Sequence, residues 1–197
     1  DVNGDGKPDM LVANYSSNTA SIFINTSTST FSFASKVDYT TGTAPYSITT
    51  SDVNGDGKPD MLVANYSSNT ASVLINNGDG TFAAKVDYTT GTQPTSITSS
   101  DVNSDGKPDM LVTNRLSVSA SVFLNNGDGT FVARVNYTTG TNPWSIATSD
   151  VDGDGKPDML VANFNSSTAS IFLNTSTSTL SSTPGNTQVT TTYTTPP

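Results

Sequence analysis

The sequence predicts an all-β fold, a propeller-like array of four-stranded antiparallel blades in four tandem repeats, and three observations carry that expectation. A unit of about fifty residues recurs four times, each copy opens on the same aspartate-rich loop, and the segments between loops alternate apolar and polar residues with the period of two that belongs to strands. Composition agrees. Only 33% of the 197 residues are hydrophobic, and Ser, Thr, Asn and Gly fill the gap, which favours short strands and many turns over long helices.

Asp1, Asp52, Asp101 and Asp150 open equivalent segments spaced 51, 49 and 49 residues apart, and residues 1–21 recur unchanged as 52–72. The units are therefore 1–51, 52–100, 101–149 and 150–185, followed by a Thr/Pro-rich tail, 186–197. In the third unit Met110-Leu111-Val112-Thr113 is a short continuous apolar run, as in an inner strand covered on both faces. Ala120, Val122 and Leu124 then alternate with Ser121 and Phe123. After the turn Asn125-Asn126-Gly127-Asp128-Gly129, residues Phe131, Ala133, Val135 and Tyr137 are expected on one face, with Arg134 and Asn136 on the other. A Pro-bounded segment from Pro143 to Val151 leads into the next loop and makes four strands per unit, near the size of a propeller blade. Asp1 already lies inside a loop, so the first copy is expected to lack its leading strand. The last copy loses the Phe-x-Ala-Lys-Val pattern, and residues 175–197 hold 14 Ser or Thr in 23 positions. Gln188 to Thr195 is read either as a further strand or as a tail without structure.

Charge narrows the chemistry. All 17 acidic residues are Asp, and 13 of them lie in the four loops together with four of the eight basic residues, so the loops carry the whole net charge of −9. The rest, with Asp38, Asp79, Asp87 and Asp128 against Lys36, Lys85, Arg115 and Arg134, is neutral. Charge localised in this way points to cation binding and away from nucleic acid. The chain has no Cys and no His, which excludes disulfides, thiolate nucleophiles and zinc sites built on sulfur or imidazole. No apolar run is long enough to span a bilayer, and no signal peptide precedes Asp1. The lack of an initiating Met leads us to expect a processed product or a fragment.

Each loop reads Asp-x-Asn/Asp-x-Asp-Gly-Lys-Pro-Asp. Carboxylate and amide oxygens at alternate positions of a tight loop converge on one point, as hard divalent cations require. The candidate ligands are Asp1, Asn3, Asp5 and Asp9 with the carbonyl of Lys7; Asp52, Asn54, Asp56 and Asp60 with Lys58; Asp101, Asn103, Asp105 and Asp109 with Lys107; and Asp150, Asp152, Asp154 and Asp158 with Lys156. Gly6, Gly57, Gly106 and Gly155 suit a sharp bend at positive φ. Ca²⁺ is favoured over Mg²⁺, because many protein oxygens in a flexible loop match its tolerant coordination sphere, and about one ion per repeat is expected. An Asx-rich turn capping a hairpin uses the same residues, but three or four carboxylates brought together without metal would repel. Helical calcium hands and dockerin loops begin in the same way. Both need a helix after the loop, and the hand needs an acidic twelfth residue, where this chain has Val12, Val63, Val112 or Val161.

The string Asp-Val-Asn-Gly-Asp-Gly-Lys-Pro-Asp-Met-Leu-Val-Ala-Asn, followed by Asn-Asn-Gly-Asp-Gly-Thr-Phe, resembles the FG-GAP-like or VCBS repeat family, which includes the head of integrin α subunits. The resemblance covers nearly the whole chain. It implies blades of a β-propeller with Ca²⁺ in the loops, and since complete family propellers have about seven blades, four copies imply a small ring or part of a longer array.

Three functional classes make different demands on these residues. With no His and no Glu, and nearly every Asp committed to a loop, no catalytic site is predicted; Lys36 and Lys85 alternating with Asp38 and Asp87 read as a solvated charge pattern. A carbohydrate- or protein-binding module draws on Tyr46, Thr95 and Trp144, which follow a Pro at equivalent positions and would offer an aromatic set for stacking on a sugar, although ordinary blade packing is the favoured reading of these residues. A calcium-dependent extracellular structural or adhesive protein draws on the near-identical repeats and the Thr-rich tail. Sequons at Asn14, Asn25, Asn65, Asn136, Asn165 and Asn174 and the tail itself would accept sugar in a suitable host. Self-association into a homopolymer is a sharper expectation, in which the tail of one copy completes the first blade of the next and builds a head-to-tail filament; the competing outcome is that the tail completes its own array.

Overall fold

Each unit places three strands after its acidic loop and a fourth before the next one. The computed structural model describes residues 1–176 and 186–187. Its regular elements are all strands: β1 (Met10–Asn14), β2 (Thr19–Phe23), β3 (Val37–Thr40), β4 (Pro45–Ser51), β5 (Asp60–Asn65), β6 (Thr70–Leu74), β7 (Val86–Thr89), β8 (Pro94–Ser100), β9 (Asp109–Asn114), β10 (Ser119–Phe123), β11 (Val135–Thr138), β12 (Pro143–Ser149), β13 (Asp158–Asn163), β14 (Thr168–Asn174) and β15 (Asn186–Thr187). They form a three-stranded sheet, β1-β2-β3, and three four-stranded sheets, β4-β5-β6-β7, β8-β9-β10-β11 and β12-β13-β14-β15. Every pairing is antiparallel. The blades are thus offset from the sequence repeats, because each four-stranded sheet takes its leading strand from the end of the preceding unit.

The leading strands β4, β8 and β12 lie side by side where the sheets converge. Ser47 Oγ accepts from the Ile97 amide at 3.3 Å and Ser96 Oγ from the Ile146 amide at 3.4 Å. Beside them, β5 and β9 are buried along their whole length, as expected of Met110–Thr113.

The period of two decides which neighbour each side chain meets. On β9, Met110 and Val112 pack with Leu62, Ala64 and Val73 of the preceding sheet, whereas Leu111 packs with Met159, Val161 and Phe172 of the following one. On β5, Met61 and Val63 face Val2, Ala20 and Ile22. The core is therefore three slabs between blades, and each fully buried aliphatic side chain contributes about 2 kcal/mol.

One expectation is corrected. Phe131 and Tyr137 do not share a face: Phe131 joins the core shared with the preceding blade and Tyr137 the core shared with the following one. Phe131 makes only an isolated bridge to Asn125, and the ladder resumes at Val135. The unpaired residues between them interrupt the alternation on which the expectation rested.

A polar ladder crosses each of the first three blades inside this apolar frame. Asn65 Nδ2 donates to Ser72 Oγ at 2.8 Å, Ser72 Oγ donates to Asp87 Oδ1 at 2.6 Å, and Lys85 closes the row on Asp87. Asn65 Oδ1 accepts the amide of Gly42 at 3.1 Å. A Cβ on Gly42 would lie 2.5 Å from Ser68 Oγ and 2.7 Å from Asn65, so only glycine lets the loop approach. The ladder also bears on the sequons: Asn65 is fully buried and Asn25 is buried at 7% exposure, whereas Asn136 and Asn165 are exposed.

Asn186–Thr187 pairs with Leu173–Asn174 of the same chain. It takes the fourth position of its own sheet, as the self-completing outcome requires, while Gln188 to Thr195 lies outside the described residues.

The tight turn after the second strand of each blade holds one residue at positive φ. Asn18 (58°) and Asn69 (57°) occupy it in the first two blades, and Val118 (50°) in the third. Asn18 and Asn69 also accept amides of the next connection, from Ala44 and Gln93, both at 2.8 Å. A β-branched residue pays for a left-handed backbone and offers no acceptor. Val118→Asn is expected to raise stability by about 1 kcal/mol in denaturant melts.

Candidate metal centre

In each loop the opening aspartate folds the chain around itself. Asp1 Oδ1 accepts the amides of Gly4 (2.8 Å) and Asp5 (3.1 Å), and its Oδ2 accepts that of Gly6 (2.7 Å). Asp52 repeats this with Gly55, Asp56 and Gly57, and Asp150 with Gly153, Asp154 and Gly155. Gly6, Gly57, Gly106 and Gly155 have φ of 81°, 80°, 83° and 85°, with nothing within 4 Å of an added Cβ. Backbone conformation and not crowding therefore selects glycine there. In the third loop Ser104 stands in place of the preceding glycine at φ 62°.

The closing aspartate ties the loop to its own blade. Asp60 Oδ2 accepts the amide of Val53 (2.9 Å) and its Oδ1 that of Asn76 (2.8 Å); Asp9, Asp109 and Asp158 do the same with Val2 and Asn25, Val102 and Asn125, and Val151 and Asn174. Asp60, Asp109 and Asp158 are fully buried. Burial pushes the Asp109 carboxyl up to about 6, with the charges of Asp105 and Asp101 adding to the rise. Asp60 is raised for the same reasons, its charged neighbours being Asp56 and Asp52. A buried anion among like charges is the arrangement that a bound cation relieves.

The fourth loop brings carboxylate oxygens of Asp150, Asp152 and Asp158 within 4.8 Å of one another. In the other loops Asn3, Asn54 and Asn103 stand at the middle position, where an amide oxygen replaces the carboxylate. Asp154 lies outside the group of three. Its Oδ2 is 3.0 Å from Lys156 Nζ, and hydrogen bonds from the Lys156 side chain and backbone hold its carboxyl below the usual range. Asp5 and Asp56 likewise pair with Lys7 (3.2 Å) and Lys58 (3.7 Å), while Asn103 Nδ2 donates to Asp105 Oδ2 at 3.1 Å. Lys107 reaches instead to the Asn126 carbonyl at 3.0 Å. An all-oxygen donor set, anionic and convergent on a glycine bend, fits a hard divalent cation of the calcium type.

Sequence reasoning missed one set of residues. Asn76 Nδ2 donates to the Pro59 carbonyl beside its own loop (3.0 Å) and to the Val2 carbonyl inside the preceding loop (2.9 Å). Asn125 bridges Pro108 and Val53, and Asn174 bridges Pro157 and Val102. The loops are thereby linked in series across the blades. The signal was present, since Asn25, Asn76, Asn125 and Asn174 each stand 16 residues after a closing aspartate, but Asn in a turn invites no further question.

Two tests follow from this geometry. Asn125→Ala strands two carbonyls that the amide now serves, and is expected to cost about 2 to 4 kcal/mol in equilibrium unfolding. With cation removed, Asp109 binds its proton more tightly folded (about 6) than unfolded (about 3.9). This group's contribution is therefore fully present below about pH 4 and is lost as pH rises through about 6. In EDTA the melting temperature should fall by a few degrees between pH 5 and pH 7, and Asp109→Asn should flatten that slope. With calcium present the trend is expected to reverse, because a bound ion would require the ionised carboxylate.

The profile of the FG-GAP-like repeat matches residues 1–63, 52–112 and 101–161. No curated protein matches the chain. Among solved structures, a functionally unknown protein from Desulfotomaculum acetoxidans superimposes with a TM-score of 0.66 at 17% identity, over 89% of this chain and 54% of that one. BBS1N, solved in complex with ARL6DN and soaked with lead, gives 0.60 at 16% identity, over 86% and 50%. An Agrocybe aegerita lectin, described as recognising non-reducing terminal N-acetylglucosamine, gives 0.57 at 20% identity, over 89% and 47%. The chain spans about half the length of these structures, and at such identities the likeness is one of fold. The repeated loops, the blades they open and the profile match over residues 1–161 together place this chain in the FG-GAP-like repeat family.

Proposed function

We propose that the chain is a calcium-stabilised β-propeller repeat module of an extracellular structural or adhesive protein. The observation that carries this reading is the serial linkage of the loops. Each closing aspartate anchors its own blade, and an asparagine beside it holds the preceding loop, so a cation in one loop stiffens two blades. The ion would be held by Asp150, Asp152 and Asp158 in the fourth repeat, and by the corresponding Asp and Asn oxygens in the other three. Bound there, it supplies positive charge that neutralises carboxylates which otherwise repel. Among the described residues, no lysine or arginine pairs with Asp150, Asp152 or Asp158 to do so.

Loops of this open kind bind calcium at about 10⁻⁴ to 10⁻³ M, a range that suits extracellular fluid. Among the described residues, no helix is long and apolar enough to cross a membrane. A binding role for the finished scaffold is supported by its likeness to a lectin and to a protein solved in a complex.

Calcium at about tenfold above its dissociation constant contributes about 1.4 kcal/mol per site. Replacing millimolar calcium with EDTA is therefore expected to lower the melting temperature by roughly 10 °C or more. Calorimetry in the two buffers checks this, and identical melts would remove the calcium reading.

A further inference from the structure

At the end of the strands opposite the acidic loops, aromatic side chains from three blades meet. Tyr15, Tyr66 and Phe164 follow the first strand of their units, and Arg115 holds the same position in the third. Tyr46 and Trp144 come from the leading strands, at the points where the register shifts between Pro45 and Ser47 and between Pro143 and Ser145. A bulge re-aims the side chain it carries, and here it turns both rings into the cluster. The rings form a continuous chain: Tyr15 to Tyr46 at 6.1 Å, Tyr46 to Tyr66 at 5.6 Å, Tyr46 to Trp144 at 5.8 Å and Trp144 to Phe164 at 5.8 Å. Thr95, the third member of the set read from the sequence, is instead buried on Thr113 and the Pro143 carbonyl.

Packing alone does not account for this cluster. Phe164 is 71% exposed, Tyr15 48%, Tyr46 40% and Trp144 39%, whereas the packing aromatics Phe82, Phe123 and Phe172 are nearly sealed. Polar groups of fixed geometry lie among the rings. Tyr66 donates its hydroxyl to Gln93 Oε1 at 2.6 Å, and Arg115 Nη1 donates to the Tyr66 hydroxyl at 2.9 Å and to Gln93 Oε1 at 3.3 Å. The Arg115 guanidinium carbon stands 5.7 Å from the centre of the Trp144 ring, and its Nε is buried without a partner. The protein thus leaves the guanidinium unsaturated, and no carboxylate pairs with it among the described residues.

We infer that this surface binds carbohydrate, with pyranose rings laying their C–H faces on Trp144, Phe164 and Tyr46 and their hydroxyls meeting Arg115, Gln93 and the Tyr66 hydroxyl. Exposed flat rings beside planar hydrogen-bonding groups match a ligand that has an apolar face and a polar rim. A purely apolar partner would leave the Arg115–Gln93–Tyr66 network unanswered, and a nucleic acid, whose phosphates need several cations, would find Arg115 alone among these rings. Tyr46 and Trp144 stand on paired strands, which keeps the ordering cost of binding low at these two rings.

Trp144 is the only tryptophan, so its emission reports on this surface alone. The calcium-loaded full chain is titrated with cellohexaose, chitohexaose and hexagalacturonate. At least one is expected to give a saturable change in emission at micromolar to millimolar concentration. Tyr46→Ala and Phe164→Ala, both at exposed positions, should each weaken binding about tenfold with circular dichroism and melting temperature unchanged. No saturable change with any of the three sugars, or equal binding by both variants, overturns the inference. The loops lie at the other end of the strands, so such a failure would leave the EDTA-dependent melt intact and would be distinct from failure of the calcium reading.

Discussion

Buried negative charge is the constraint on which this fold turns. Asp60, Asp109 and Asp158 are fully buried at the starts of the strands they open, and each carboxylate oxygen accepts a backbone amide that fastens the loop at one end and the hairpin at the other. The amides satisfy the hydrogen-bonding demand but leave the charge, so the carboxyl of Asp109 rises. A divalent cation held there would remove that penalty where the neighbouring acids converge, and would favour the folded loop because the unfolded chain cannot gather the same oxygens.

The linkage between loops gives this local effect a longer reach. Blades that met only through apolar slabs could slide, since hydrophobic packing is not directional. The amides of Asn76, Asn125 and Asn174 each bridge a carbonyl of their own loop segment and one in the loop before it, and these bonds set the register between sheets. The Asn65–Ser72–Asp87 ladder sets the register within one. Polar groups thus specify the geometry, while the alternating apolar residues supply most of the burial.

Seen this way the two ends of the strands have divided tasks. One end carries all the acidic loops and nearly all the charge. The other is free of aspartate and gathers Tyr15, Tyr46, Tyr66, Trp144 and Phe164 around Arg115. Near-identical repeats would have placed identical residues around that end. The replacement of tyrosine by Arg115 and Phe164, and of Tyr46 by Thr95 and Trp144, makes it asymmetric, which a surface with a single ligand permits and a purely structural ring does not need.

By itself the sequence determined the period and the strands and singled out the candidate oxygen donors of the loops, because each is local. Glycine at position 6 of the loop follows from a backbone angle, strand identity from alternation over a few residues, and the oxygen donors from spacing within nine. Only the tertiary structure decided what met across distances the pattern does not encode. Phe131 and Tyr137 went to different cores because the strand ladder is interrupted between Phe131 and Val135 and the alternation is broken there. Asn125 reached Val53, 72 residues away, and Tyr46 met Trp144 because neighbouring blades bring their leading strands together. Such contacts depend on how sheets stack, and stacking is settled by the sum of many weak side-chain contacts that no short segment contains.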